Sequence, residues 1–294
     1  MLTAKLRHWR ASLSLSSWLS QHGVPGISGV DTRYLTRKLR DQGTLKAALS
    51  TRGTPAENLL AIVRQWPGLD KRDMVTEVTR QGVTSWLGDA GSPWVSLHPE
   101  NNVHIVVLDY GVKRNILRHL ASYTKLVTVV PAYTRYDELQ ALEPDAVLLS
   151  NGPGDPAGLP GMVEVVRQLI DAGEVPIFGI CLGHQLIGRA LGGETRRLKF
   201  GHHSANHPVQ DSRTRKVLIT AQNHNYAVIP ESLNPDLVEM TFLSLNDHTL
   251  EGMRLRHRPV FSVQFHPEAA PGPHDAHGLF DLFFAMIEEV REKR

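Results

Sequence analysis

The chain has 294 residues, of which 41% are hydrophobic, enough to bury a substantial core in one or two domains. Its 32 basic and 30 acidic residues leave a net charge of +2, which does not indicate a polyanionic partner. No apolar run approaches the ~20 residues of a membrane-spanning helix, and the first ten residues lack the apolar core of a signal peptide. We therefore expect a cytoplasmic protein that binds neither nucleic acid nor membrane.

The first hundred residues are predicted to form short helices and turns. Helices are expected around 15–19 and over 32–42, and turns rich in Gly and Pro separate them. Residues 1–50 carry eight Lys/Arg and only two acidic residues, which we interpret as a solvated or protein-docking face. Residues 88–93, composed of Gly, Asp, Ala, Ser and Pro, are interpreted as a linker or loop.

From His104 onwards the pattern changes to alternating strands and helices. Strands are predicted over 104–110, 126–130, 146–149, 175–179, 217–220 and 260–264, and helices over 112–122, 161–172 and 280–293. This alternation predicts parallel βαβ units with ligands beyond the carboxyl ends of the strands. The expected fold is an α/β three-layer domain over 102–294 with a mainly parallel central sheet, preceded over 1–101 by a partial N-terminal domain and linker.

Cys181 is the only cysteine, so it cannot form a disulfide within the chain. It follows an apolar run and lies between Gly179 and Gly183, the Gly-x-nucleophile-x-Gly pattern of a strand-to-helix elbow. Such an elbow places the sulfur at the N-terminus of the next helix, where the helix dipole favours the thiolate. The spacing therefore predicts that Cys181 is a nucleophile.

A nucleophilic cysteine needs a base and a group that orients the base, and His266 and Glu268 provide both. His266 follows an apolar strand, and we expect the intervening Pro267 to keep a strand-like backbone with both side chains on one side. Glu268 then holds one imidazole nitrogen while the other meets the thiol. By itself this triplet fits a capping histidine beside a surface glutamate better.

Two further segments are candidates for the site. Residues 149–156 follow a strand and contain two glycines, so that their backbone N–H groups can converge as an oxyanion hole; in isolation an ordinary Gly/Pro loop fits better. Residues 199–209 contain three histidines, which raises the question of a metal site. With no second cysteine and no acidic residue at a ligating interval, we expect no metal and interpret the segment as a loop packed near the active site.

The order of these motifs resembles that of the class I glutamine amidotransferases, and more narrowly that of the small, glutamine-hydrolysing chains of carbamoyl-phosphate synthetases. The resemblance covers nearly the whole chain. The segments that carry it are GVDTRYLTRKL (29–39), DYGVKRNIL (109–117), LSNGPGDP (149–156), GICLGHQ (179–185), KFGHH (199–203), NHPV (206–209), TAQNH (220–224) and FHPEAAPGPHD (265–275).

The resemblance implies roles for individual residues. Cys181 is implied as nucleophile, His266 as base and then acid, and Glu268 as the group that orients the histidine. The backbone N–H groups of Leu182 and Gly154 are implied as oxyanion donors. The positions implied to hold glutamine are Gly152, Gly154, Leu182, Gln185, Asn223, Asn225 and Tyr226.

The resemblance also implies a partner. Ammonia passes to a large chain that uses ATP and bicarbonate to make carbamoyl phosphate for arginine and pyrimidine synthesis, in a heterodimer. This chain contains no recognisable nucleotide-binding loop, so no cofactor is expected in it. Two alternatives remain open from the sequence: an amidotransferase of another synthetase, and a truncated chain that is inactive or acts as a regulatory binding subunit.

Two departures from the family pattern have expected consequences. Asn225-Tyr226 stands where the family has Gly-Phe, and we expect asparagine to tolerate a left-handed backbone and tyrosine to retain the ring. The family also has a longer N-terminal domain, whose missing part supplies a glutamine-contacting serine. We therefore expect residues 1–97 to be an incomplete domain that exposes apolar surface, at Trp9, Leu13, Trp18 and Leu19.

Overall fold

A computed structural model describes residues 12–86 and 101–293, which fall into two compact units divided between Gly68 and Leu69. Trp9 and the linker expected over 88–93 lie outside the described residues. Residues 69–86, which the sequence pattern grouped with the N-terminal region, cluster with the second unit. No helix of the described ranges is long and apolar enough to span a bilayer.

The first unit contains three helices in its described part: α1 (Leu15–Gln21), α2 (Thr32–Gln42) and α3 (Ala56–Gln65). Local signals start the first two, because Ser14 accepts a hydrogen bond from the backbone N–H of Ser17 and Asp31 from that of Tyr34. The helix predicted over 32–42 is thereby confirmed, whereas α3 was not predicted.

The helices of the first unit do not build a core. None of the three buries a residue. Leu13 and Trp18 are 40% and 47% exposed, as the sequence predicts for an apolar surface, while Leu19 is half-buried. These helices therefore rely on caps and intrinsic propensity more than on packing.

The second unit alternates strands and helices, as predicted. Strand β6 is a correction, because it occupies the segment expected to form a loop over 199–209; α5, β8 and β9 were not predicted. Its elements are β1 (Thr84–Ser85), β2 (Asn101–Asp109), α4 (Arg114–Ala121), β3 (Thr124–Pro131), α5 (Tyr136–Gln140), β4 (Ala146–Leu149), α6 (Pro160–Ala172), β5 (Ile177–Ile180), α7 (Leu182–Ala190), β6 (Thr195–Asp211), β7 (Val217–Val228), β8 (Val238–Ser244), β9 (Leu250–Leu255), β10 (Val260–Val263) and α8 (Gly278–Glu292).

The described strands form one sheet in the order β1-β3-β2-β4-β5-β10-β9-β8-β6-β7. Strands β3, β2, β4, β5 and β10 are parallel, and their pairing is the sheet that the βαβ pattern predicts. Antiparallel pairing adds β9, β8, β6 and β7 beyond β10. Because parallel strands end at the same edge, the segments after β2, β4, β5 and β10 meet there.

The central strands are buried on both faces, which makes the fold three-layered. Val106 and Leu108 of β2 point into a cluster with α6 and α7, whereas Ile105 and Val107 point into a cluster with α4 and α8. This alternation follows the two-residue period of a strand. The predicted three-layer α/β architecture is confirmed, and two apolar layers hold the sheet edge on which the site lies.

Candidate active site

The turn between β5 and α7 is the strained elbow that the sequence predicts. Cys181 has φ 54° and ψ −99°, an uncommon conformation for a residue with a side chain. A Cβ atom on Gly183 would lie 2.2 Å from the carbonyl oxygen of Leu149, so only glycine fits there. The backbone N–H of Cys181 donates to the carbonyl oxygen of Val263 at 2.8 Å, which ties the elbow to β10.

The Cys181 thiol is buried, with 3% of the residue exposed. Its Sγ lies 3.7 Å from Nε2 of Gln264 and 3.9 Å from the carbonyl oxygen of Asn223. Cys181 immediately precedes the first residue of α7, so the thiol lies at the N-terminus of that helix.

His266 and Glu268 lie together, as the sequence predicts, at 2.8 Å between Nδ1 and Oε1. The backbone between them is a turn, however, and not the expected strand-like dipeptide; His266 itself forms an isolated bridge with Ala221. Nε2 of His266 is buried and makes no hydrogen bond to the described residues. It is the ring nitrogen that Glu268 leaves unengaged.

Charges around Glu268 keep this pair ionised. Burial alone would raise the pKa of Glu268, but His266 and Lys113 outweigh it and lower the pKa below its usual range. Burial likewise opposes the charged form of His266, while Glu268 and Cys181 raise its pKa above the ordinary value. The side chains of Glu268 and His266 thus form a carboxylate–imidazolium pair close to Cys181.

Lys113 is a site residue that sequence reasoning missed. Its Nζ lies 2.8 Å from Oε1 of Glu268 and donates to the carbonyl oxygen of Ala269 at 2.6 Å. Asn115 also donates to the backbone oxygen of Glu268, at 2.5 Å. Both belong to the motif over 109–117 that follows β2, and this position at the carboxyl edge of the sheet is the signal that could have identified them.

A cavity of about 700 Å³ opens in front of Cys181 and His266. Most of the residues predicted to hold glutamine line it, whereas the side chain of Leu182 packs beside Gly152 and Glu268 lies behind His266. The predicted lining residues are Gly152, Gly154, Gln185, Asn223, Asn225 and Tyr226. The structure therefore brings the Cys181 thiol, the His266 imidazole and a chamber of this size together.

The loop over 149–156 is fitted closely to the end of β2. A Cβ atom on Gly152 would lie 2.2 Å from the carbonyl oxygen of Tyr110, and Gly154 has φ +94°. Asn151 accepts from the backbone N–H of Lys113 at 3.0 Å and donates to the carbonyl oxygen of Gly111 at 3.0 Å. Both glycines are thus required by the backbone, and the loop is held beside the cavity.

Asn225 does not have the left-handed conformation that the substitution pattern suggested. It lies within β7 and is not among the described residues with positive φ. Its side-chain oxygen lies 3.2 Å from Nε2 of His203, whose Nδ1 lies 2.9 Å from the side-chain oxygen of Asn223. The asparagine therefore acts through its side chain, by joining β7 to β6 at the cavity.

His202 of β6 and His224 of β7 lie close to an acidic residue that is distant in sequence. Glu251 of β9 is fully buried, with Oε1 3.4 Å from Nδ1 of His202, and the two groups lie with His224 at distances compatible with a metal site. Each already has partners: His202 contacts Asp247 at 2.9 Å, and His224 contacts the backbone oxygen of Tyr226 at 2.8 Å. We interpret the cluster as a buried polar network behind the cavity.

Comparison with known proteins agrees with this geometry. Residues 106–286 match the family described as glutamine amidotransferase class-I, and residues 1–49 match the carbamoyl-phosphate synthase small chain, CPSase domain. The solved structure of a protein from Thermoplasma acidophilum, described as one subunit of a GMP synthase, superposes with a TM-score of 0.57 at 24% identity, over 65% of this chain and 96% of that one. That likeness concerns the fold alone.

Curated relatives narrow the family further. The carbamoyl phosphate synthase small chain of Akkermansia muciniphila is 49% identical over 280 residues, covering 95% of this chain and 74% of the relative. The small chain of Synechococcus sp. is 46% identical over 284 residues, which cover 96% of this chain and 72% of the relative. The small chain of Aquifex aeolicus is 45% identical over 283 residues, which cover 96% of this chain and 76% of the relative. The chain belongs to the class-I glutamine amidotransferase family and, within it, to the carbamoyl phosphate synthase small chains.

Proposed function

We propose that this glutamine-hydrolysing subunit of carbamoyl phosphate synthase works through Cys181, His266 and Glu268. One observation carries the proposal: His266 is held at 2.8 Å by Glu268 through Nδ1, while its Nε2 is left to interact with the elbow thiol beside a cavity of about 700 Å³. This arrangement supports the assignment of Cys181 as nucleophile, His266 as base and Glu268 as orienting carboxylate in amide hydrolysis.

The proposed reaction has two halves. The thiolate of Cys181 attacks the side-chain amide carbon of glutamine, and His266, which holds the thiol proton, delivers it to the departing ammonia. Water then attacks the resulting thioester, His266 takes its proton and returns it to the sulfur, and glutamate leaves. Glu268 keeps the imidazole oriented throughout and stabilises its positive charge.

The oxyanion of each tetrahedral intermediate is assigned to backbone N–H groups. Leu182 begins α7 directly after the nucleophile, and Gly154 lies in the loop that lines the cavity. Loss of one such donor typically costs ~10²–10³ in rate. We assign glutamine binding to Gly152 and Gly154 of that loop, to Leu182 and to the polar side chains of Gln185, Asn223, Asn225 and Tyr226, most of which line the same cavity.

The ammonia is proposed to pass to a large partner chain. That chain would use ATP and bicarbonate to make carbamoyl phosphate for arginine and pyrimidine synthesis, in a cytoplasmic heterodimer. Support comes from the relatives, which are named as small chains of carbamoyl phosphate synthase. In this scheme the chain itself carries no cofactor, since thiol and imidazole suffice for amide hydrolysis.

Replacement of the nucleophile tests the mechanism. Cys181→Ser should abolish glutamine hydrolysis, with a loss of at least ~10³ in kcat. In a complex with a large chain it should leave ammonia-dependent carbamoyl phosphate synthesis intact. His266→Asn should also abolish hydrolysis, whereas His248→Asn, at an exposed turn, should not. Unchanged hydrolysis in Cys181→Ser would exclude the mechanism. A wild-type chain inactive even with its large chain would instead indicate the regulatory alternative.

A further inference from the structure

One wall of the cavity comes from a segment without regular secondary structure, residues 69–78, which we name the strap. Leu69, Met74 and Val78 of the strap line the cavity, and Val75 is fully buried in the apolar cluster beside α6. Sequence patterns gave no indication of this role, because the strap contains neither a helical nor a strand period. The position of the strap therefore depends on how it is held.

On one side the strap lies against the glycine loop. The backbone N–H of Lys71 donates to Oδ2 of Asp155 at 2.8 Å. A Cβ atom on Gly158 would lie 2.8 Å from the backbone carbon of Lys71, and one on Gly154 would lie 3.3 Å from the carbonyl oxygen of Arg72. The two backbones thus meet at a distance that only glycine allows.

On the other side Asp70 joins the strap to the antiparallel strands. The hydroxyl of Tyr226 in β7 donates to Oδ1 of Asp70 at 2.5 Å, and Nη1 of Arg197 in β6 lies 2.9 Å from Oδ2. Tyr226 is buried and its ring lines the cavity, whereas the Asp70 side chain is 58% exposed. The hydroxyl therefore connects a cavity residue directly to the strap.

We propose that Tyr226, Asp70 and Arg197 form a latch that holds the strap against the glutamine cavity and thereby sets the affinity for glutamine. Asp70 and Arg197 are positioning residues, whereas Tyr226 both lines the cavity and holds Asp70; the proposal rests on the proposed function of the cavity. A phenylalanine at position 226 would fill the same space but could not donate to Asp70. The latch is thus a consequence of the tyrosine in this chain.

Kinetics of three variants test the latch. Tyr226→Phe should raise the KM for glutamine roughly three- to tenfold, the effect of one net hydrogen bond. The kcat should stay within about twofold of the wild-type value, because Cys181 and His266 follow β5 and β10 and do not belong to the strap or to β7. Asp70→Ala, at an exposed position, should raise KM similarly. The double variant should be no worse than Asp70→Ala alone, because Asp70→Ala already removes the bond that Tyr226→Phe removes, together with the ion pair to Arg197. Tyr133→Phe, with a half-exposed ring outside the cavity, is the matched control and should change neither constant.

Trypsin provides a readout that needs no turnover. The strap carries Lys71 and Arg72, so its release should speed cleavage after these residues in the full chain, measured by mass spectrometry of the fragments. Tyr226→Phe and Asp70→Ala should be cleaved several-fold faster than wild type and Tyr133→Phe. Unchanged KM and unchanged cleavage would overturn the latch, as would a lower melting temperature with unchanged KM. A wild-type chain that hydrolyses no glutamine even with its large chain would overturn the proposed function, while the cleavage rates would still decide on the latch.

Discussion

The two units of the chain differ in whether they have a core. Among residues 12–68 no large apolar side chain is buried, and α1, α2 and α3 bury none of their residues. The second unit, in contrast, encloses its sheet between two clusters of buried side chains. The strained backbone of Cys181 lies in the second unit, where tight packing can hold an unfavourable conformation in place. Chemistry that depends on such a conformation needs that kind of support.

The largest expected difference concerns a buried charge. Glu268→Gln leaves Lys113 and His266 without their carboxylate and should lower the free energy of unfolding at pH 7 by roughly 3–5 kcal/mol. Since folding lowers the pKa of Glu268, its stabilisation is present above the unfolded value of about 4.3 and is lost as the pH falls below it. Urea unfolding at pH 7 and pH 3 should therefore show a difference from wild type that shrinks in acid.

The first unit offers a matched control for that charge. Asp41 pairs with Arg40, and both side chains are more than half exposed, so Asp41→Asn should leave the unfolding free energy unresolved from wild type at either pH. If the two acidic residues proved equally costly to neutralise, burial would not be the reason for the difference between the units.

Paired truncations of the same residue type measure the core itself. Leu148 is fully buried in β4, and Leu148→Ala should lower the free energy of unfolding by roughly 2–5 kcal/mol, through lost transfer energy and the cavity that remains. Leu60 of α3 is 52% exposed, so Leu60→Ala should change it by less than about 0.5 kcal/mol. Denaturant titration of both variants measures the two losses of unfolding free energy, which should differ by the expected amount. Comparable losses would show that α3 has packing that its exposure does not reveal.

The smallest expected effect is local to the first unit. Asp31 caps α2 by accepting from the backbone N–H of Tyr34 at 2.8 Å, and Asp31→Ala should weaken that helix by about 1 kcal/mol. Hydrogen exchange by mass spectrometry should show faster exchange within 32–42, with β4 and the KM for glutamine unchanged. Equal exchange in variant and wild type would mean that packing, and not the cap, maintains α2.

Local signals account for the elements that could be predicted. The apolar run of β2, the period of α6 and the Asp31 cap of α2 each concern residues that are neighbours in sequence. Strand β6 was taken for a loop because its histidines, glycine and proline give no alternation of apolar and polar residues. Its pairing with β7 supplies what the local pattern lacks.

In the candidate site, too, features set by neighbouring residues could be predicted, whereas contacts between distant segments could not. Gly179, Cys181 and Gly183 are close in sequence, so their elbow could be predicted from turn geometry alone. Asn225 was expected to tolerate a left-handed backbone, but it does not adopt one. It lies in a strand, where its side-chain oxygen contacts His203. The acidic partner of His202 was not found, since Glu251 comes from another strand.

By itself the sequence determined the local segments of the candidate site: the elbow with its thiol, the histidine and glutamate after a strand, and the glycine loop. Each of them depends on residues that are close together in the chain. Only the tertiary structure decided what surrounds them. Lys113 forms an ion pair with Glu268, and Asp70 accepts a hydrogen bond from Tyr226. In each pair the two residues are more than a hundred positions apart in the chain. Such contacts follow from how the layers pack against one another, and no local period encodes that packing.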